Sequence, residues 1–410
     1  KSAFSSDSSF RTLRASEMAT QDAMDSSTRA NLKQLTVMAY KDLDTHSAPE
    51  ARSGHRVFTD DNFLYVVGGF KPTQGGSGQL FREMWQLNLL TLRWTSLNIP
   101  IDFPTVLASF SLCTMTAGRF LLFGGTGLPF GHSLETSIRV CGVHGQDVVV
   151  QQLFPRGSKA GCYGHSMVYD ESRDLFYVIA GTNGHEFRLD VDALDLTADQ
   201  GRGEWQSLAS RSDDGVYRLE TILSGDVIFM FGGGTPHMVK GFETIQTFDV
   251  ASLLYGQVTA SPDPVHFFPA GRRCHSLSQW KRKVIIAGGC SEDRPRDEDV
   301  QVNVVDIFDD VWEYDLDTNA WRFIGLLPIP VFFHDSAVTK DGLLLIFGGV
   351  VDPLSRLRTN ETQMMWLIPP SLFFSALQPL RKNIIIREEQ RLGDKPAVAY
   401  SVFTDLVSPA

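Results

Sequence analysis

Long apolar runs are missing from this chain. No stretch is long enough to cross a bilayer, so no membrane partner is expected. The opening residues, Lys1 to Ser6, hold no apolar h-region, and no secretory signal is expected there. The first residue is not methionine, which fits a fragment or a processed form. Cysteine is scarce: Cys113, Cys141, Cys162, Cys274 and Cys290 are odd in number, scattered, and never spaced as CxxC. That usage favours reduced thiols and an intracellular setting, cytoplasmic or nuclear. Blocks of like charge are also few. The net charge of −11 is spread along the sequence, which argues against a nucleic-acid partner. Neither a clustered ligand motif nor a GxGxxG loop occurs, so no metal, no cofactor and no catalysis are expected.

What the chain does have is glycine in pairs. An apolar run ending in two small residues recurs six times: LYVVGG at 64–69, FLLFGG at 120–125, FYVIAG at 176–181, IFMFGG at 228–233, VIIAGG at 284–289 and LLIFGG at 344–349. The spacing is 52 to 60 residues. Each run is short, apolar and bounded by turn residues, and reads as a strand buried on both faces. Ala180 replaces the first glycine of the third copy, so that strand end is expected to tolerate a methyl. A second strand follows each pair, often leading through a turn to a tryptophan. MWQLNL at 84–89 leads to Trp94, DALDL at 192–196 to Trp205, and VWEYDL at 311–316 to Trp321; IQTFDV at 245–250 has no such tryptophan. Strand, turn, strand, repeated radially, describes four-stranded propeller blades.

These motifs resemble the kelch repeat, whose period is close to 50 residues. The resemblance covers about residues 48–368 and implies an all-β, six-bladed propeller. The blade openings fit as well: Arg52-Ser53-Gly54-His55, Tyr163-Gly164-His165-Ser166, Arg273-Cys274-His275-Ser276 and Phe333-His334-Asp335-Ser336. Histidines repeated at equivalent positions point to structure, each satisfying a backbone group in its blade. A single copper site of converging His and Tyr ligands, as some kelch oxidases have, would not repeat in this way. The sixth blade lacks an outer strand. Residues 32–40 of the N-terminal segment could supply it and remove two free edges. The rest of residues 1–47 is expected to be mostly disordered. Ser291 to Asp299 reads as a solvated loop or a partner-facing one.

Residues 369–410 follow the propeller, and a short helix is expected at their start. Ser371 is a good N-cap after two prolines, and Leu372, Phe373, Ala376 and Leu377 share one face. The segment 371–380 resembles the Elongin-binding box of cullin–RING substrate receptors through Ser371, Leu372, Ala376 and Leu380. Pro379 departs from that pattern, because it removes a helical hydrogen bond. PEARSGHR at 49–56, LFREMW at 80–85, FGGTGLPFG at 123–131, FPAGRRCHS at 268–276 and GGVV at 348–351 resemble a family of kelch substrate receptors of cullin-2-type ubiquitin ligases. That resemblance implies a non-catalytic adaptor that captures the C-terminal tails of substrates ending in Gly or Ala and docks on Elongin B/C and cullin-2. The apolar-Pro box for the cullin departs: Lys395 to Ala399 comes late, and Arg381-Lys382-Asn383 stands where the box is expected.

A carboxylate ligand needs cations and hydroxyl donors in a cavity. Arg52, Arg218, Arg272 and Arg273 are the candidate cations, Ser53 a candidate donor, and Tyr163, Tyr217, Phe333 and His334 candidate walls. Arg272 or Arg273 could equally pair with an acidic residue of a neighbouring blade. A kelch scaffold acting outside any ubiquitin ligase is the alternative reading of the whole chain.

Overall fold

The computed structural model describes residues 37–40, 48–73, 78–211, 215–235, 238–292, 305–352 and 357–370. The box-like segment 371–380 and the rest of the tail lie outside the described residues, as do most of 1–47 and the charged stretch 293–304.

The chain forms six antiparallel four-stranded sheets arranged as a propeller. In the first blade these strands are Arg56–Thr59, Phe63–Val67, Met84–Asn88 and Trp94–Ser96. The second to fifth blades repeat this consecutive order, with the glycine-ended run always as the second strand. The sixth takes Asp335–Val338, Leu343–Phe347 and Thr362–Trp366 from the end of the propeller and Val37–Tyr40 from its beginning. Val37 faces Met365 and Tyr40 faces Thr362 in an antiparallel register. One sheet therefore joins the two ends of the ring.

There is no single central core. Apolar side chains form separate layers between neighbouring blades. One holds Leu64, Trp94, Leu345 and Phe347 between the first and sixth blades, and another holds Phe231, Ile286 and Trp321 between the fourth and fifth. The tryptophans of the fourth strands act as wedges. Trp94, Trp205 and Trp321 each meet the aromatic residue just ahead of the preceding blade's glycine pair: Phe347, Phe123 and Phe231. Turns ending the third strands carry an Asn or Asp whose side-chain oxygen accepts N–H groups two and three residues on. Asn88, Asp195, Asp249 and Asp315 all do so.

The glycine pairs seat the blade-opening histidines. A Cβ on Gly124, at φ +69°, would lie 2.4 Å from the His165 ring of the next blade and 2.5 Å from the Cys162 carbonyl. Gly232, Gly288 and Gly348 meet His275, His334 and His55 in the same way. Ala180 is tolerated because the next blade opens on Leu219 where four of its counterparts carry histidine, and the two share an apolar layer. Gly124→Ala is therefore expected to cost about 2–4 kcal/mol, combining left-handed strain with overpacking. Ala180→Gly should stay within about 1 kcal/mol of the parent. Denaturant midpoints measure both, and equal losses would refute the seat.

The histidines are held neutral. Burial holds the His55 and His165 imidazoles well below their ordinary pKa and takes His275 and His334 down to about 3. His55 Nε2 lies 3.0 Å from the Phe347 carbonyl, and His334 Nε2 lies 2.9 Å from the Ser276 hydroxyl.

The first strands of neighbouring blades touch around the axis, and their inward residues are polar. Arg56 lies at the centre. Its Nη1 is 2.9 Å from Glu220 of the fourth blade and 3.4 Å from Asp335 of the sixth, and its Nε donates to the Phe110 carbonyl of the second at 3.0 Å. Asp335 also accepts the Val57 N–H at 2.7 Å. Burial raises the Asp335 carboxyl to about 6, against the pull of Arg56.

Candidate functional site: the mouth of the propeller

Each blade opens with a residue in the left-handed region: Gly54, Ser109, Gly164, Arg218, Cys274 and Phe333, at φ between +54° and +65°. Backbone bonds link them into a collar. Gly54 donates to Phe333, Ser109 to Gly54, Gly164 to Ser109, Arg218 to Gly164, and Phe333 to Cys274, at 2.7 to 3.0 Å. The residue before each collar position pairs with the chain just past a glycine pair, as Ser53 does with Phe70, Tyr163 with Thr182 and Tyr217 with Gly234. Repeat geometry thus brings two families of positions to one end of the axis.

Above the collar lies a cavity of about 340 Å³. Gly54, Ser109, Arg218 and Phe333 of the collar line it. Ser53, Tyr163 and Tyr217 stand one step above. Loops beyond the glycine pairs add Phe70, Phe130, Thr182, Phe187 and Arg358. The walls are aromatic and braced by each other. Phe70 meets Phe130 edge-on at 5.1 Å, and Phe187 meets Tyr217 at 5.4 Å.

Two guanidiniums face this space. Arg218 is 5% exposed, stands over the Phe333 ring at 4.8 Å and donates to the Ser109 hydroxyl. Its Nε has no hydrogen-bond partner, and among the described residues no carboxylate forms an ion pair with it. Burial, with Arg56 nearby, lowers the proton affinity of this group. A charge so placed is costly unless an anion meets it. Arg358 stands over Phe70 at 5.4 Å and donates to Ser53 Oγ at 3.2 Å.

Of the residues nominated from sequence, the structure brings Ser53, Tyr163, Tyr217, Arg218 and Phe333 together in the cavity wall. It places the others behind that wall. Arg52 and Arg272 occupy equivalent positions in the first and fifth blades and are both fully buried. Arg52 donates to the Glu50 and Gly68 carbonyls, pairs with Glu83 at 2.5 Å and covers Phe81. Arg272 donates to the Ala270 and Gly288 carbonyls, pairs with Asp310 and covers Phe308. Both guanidiniums are committed to clamping a glycine-ended strand to its own blade. Arg273 donates to the Thr235 carbonyl and approaches Tyr217 at 6.0 Å, outside the lining. His334 is buried against Gly288. Sequence reasoning missed Phe70, Phe187, Thr182, Ser109 and Arg358 as wall residues. Ser109 had a usable signal, since it fills in the second blade the position held by Gly54 and Arg218. Among the described residues no helix is long and apolar enough to cross a membrane.

Comparison with known proteins agrees with this architecture. Residues 17–292 match the family model of the Attractin/LZTR1 beta-propeller. Kelch domain-containing protein 10 of Homo sapiens is 34% identical over 349 residues, covering 82% of this chain and 74% of its own. The Xenopus tropicalis protein of the same name is 33% identical over 344 residues, covering 79% and 77%. The Drosophila melanogaster homolog is 30% identical over 359 residues, covering 79% and 56%. With six kelch blades and these relatives over most of its length, the chain belongs to the Kelch domain-containing protein 10 family of β-propellers.

Proposed function

We propose that the mouth binds the C-terminal end of another protein, and that the chain is the non-catalytic substrate-recognition subunit of a cullin-2-type RING ubiquitin ligase. One observation carries the binding half: Arg218 is a buried guanidinium without a carboxylate partner among the described residues, at the floor of an aromatic cavity. Its planar donors suit a carboxylate. The collar closes the floor, so a chain end fits better than an Asp or Glu side chain, whose backbone would have to leave in two directions. Ser109 and Arg358 add a hydroxyl and a second cation within the same lining. Walls this close to the last residue favour a small one, Gly or Ala.

The delivery half rests on the resemblance of 371–380 to an Elongin-binding box. In that role the chain works in the cytoplasm or nucleus, with Leu372 and Ala376 seated on Elongin B/C. Co-expression with Elongin B/C should give a stable complex, and Leu372→Arg should abolish it. That complex should bind a Gly-ended peptide and lose most affinity for the same peptide as a C-terminal amide. Equal binding of acid and amide would overturn the mouth reading. An Elongin complex indifferent to Leu372→Arg would overturn the tail reading and leave a kelch interaction protein.

A further inference from the structure

Cys274 is the collar residue between Arg218 and Phe333, and no role described above uses it. Its side chain shares one buried apolar cluster with that of Cys290. The backbone on either side is fixed: Arg273 N–H donates to the Cys290 carbonyl at 3.0 Å, and Cys290 N–H to the Arg273 carbonyl at 2.9 Å. Both cysteines are 3% exposed, unoxidised, and share an apolar cluster with Phe332, Phe333 and Val350. They are far apart in sequence and come together because the blade opening runs beside the segment that follows the fifth glycine pair.

We propose that Cys274 and Cys290 form a dithiol modification site in the floor of the mouth, converted to a disulfide by peroxide. The Cys274 thiolate attacks one peroxide oxygen, the O–O bond breaks, and the departing hydroxide takes up a proton as water. The Cys290 sulfur then attacks the sulfenic sulfur and breaks its S–O bond, and the departing hydroxide takes the Cys290 proton. An S–S bond forms, a second water leaves, and the two thiols have given up two electrons and two protons to the peroxide.

Two features single out this pair. Burial raises the Cys274 thiol, but the Cys290 side chain and the charges of Arg218 and Arg273 bring it below its ordinary value. Burial instead pushes Cys113 and Cys141 up to about 12 and Cys162 up to about 11; Cys113 and Cys162 share a cluster, but no arginine offsets the burial of either. Nucleophilicity follows the thiolate, so the other three should stay reduced. Access is by size. Neither cysteine lines the cavity, but Arg218 and Phe333, the collar residues on either side of Cys274, do, so peroxide must pass them to reach the thiol and bulky reagents are expected to stop at the walls.

The test uses the full chain. Folded protein is treated with stoichiometric hydrogen peroxide, then denatured and alkylated, and its peptides are weighed. The expected result is a linked Cys274–Cys290 peptide lighter by two hydrogens, with three of the five cysteines alkylated. In Cys290→Ser the linked peptide should vanish and a 1,3-dione probe should trap a sulfenic acid on Cys274. Because Cys→Ser in a buried site can loosen the fold, the wild-type linkage map is the primary readout. Five alkylated cysteines in the wild type, or a different linked pair, would overturn the proposal. No peptide ligand enters this assay, so its failure and the failure of the mouth reading are distinguishable.

Discussion

Arg218→Met should weaken binding of a Gly-ended peptide by about 100-fold, since a charge-assisted hydrogen-bond pair contributes about 1.5–3 kcal/mol. Methionine keeps the volume over the Phe333 ring and removes the donors. Because no carboxylate of the described protein pairs with Arg218, its loss should leave unfolding midpoints unchanged or raise them. Arg272→Met makes the opposite prediction, because it strips Asp310 of its cation, leaving it only the Trp312 indole N–H, and two carbonyls of a donor. Arg218→Lys should recover only part of the affinity, because a lysine ammonium cannot present the fork. Fluorescence anisotropy with the free-acid peptide reads all three variants. Parental affinity in Arg218→Met would remove the mouth from consideration as a carboxylate site.

Arg56→Met should be the most damaging single change in the axis, at about 3–5 kcal/mol, because it leaves buried carboxylates without their cation. Glu220 and Asp335 lie in different blades, so the loss is felt on both sides of the ring. The effect has a pH signature. A carboxyl whose folded pKa lies above its unfolded value contributes stability below the unfolded pKa, and that contribution is lost as pH rises through the folded one. The Asp335 carboxyl is already raised to about 6 with Arg56 present, and removing the cation raises it further. The deficit of Arg56→Met relative to the parent should therefore shrink as pH falls from 7 to 5. Burial depresses the four buried histidines in both proteins, and Arg56 depresses His55, His165 and His275 further, so its removal eases their cost at low pH and shrinks the deficit in the same direction. Urea titrations at the two pH values check this. A deficit independent of pH would show that the carboxylates are not what Arg56 neutralises.

The propeller was legible because each blade repeats the same solution to the same steric problem. A strand buried on both faces must be apolar, and its end must admit the opening of the next blade, a histidine in four of the six cases, so LYVVGG and its five relatives keep a visible period. Even Ala180 makes sense at that level once Leu219 is noticed across the interface. The site was legible where it shares this phase. Arg218, Tyr217, Tyr163, Ser53 and Phe333 fall at or next to the position preceding the blade-opening residue. Phe70, Phe130, Phe187 and Arg358 come from loops whose lengths differ between blades, so no period marks them. Arginine identity alone could not separate Arg272 from Arg218. The first lies two residues ahead of a collar position, where its side chain turns back along the blade and finds Asp310; the second is the collar residue itself.

The seam in the sixth blade bears on how the protein is made. Val37–Tyr40 emerges early from the ribosome, and its partner Thr362–Trp366 emerges only when synthesis of the propeller is complete. At ordinary elongation rates that wait is roughly half a minute. During it the first five blades can assemble in order, but the ring has an unzipped edge. The last join links distant parts of the chain and is a slow kind of contact to make. Meanwhile the waiting strand of one nascent chain suits the open edge of another. Crowded polysomes would thus favour strand-exchanged dimers, and chaperone protection of residues 37–40 would favour monomers.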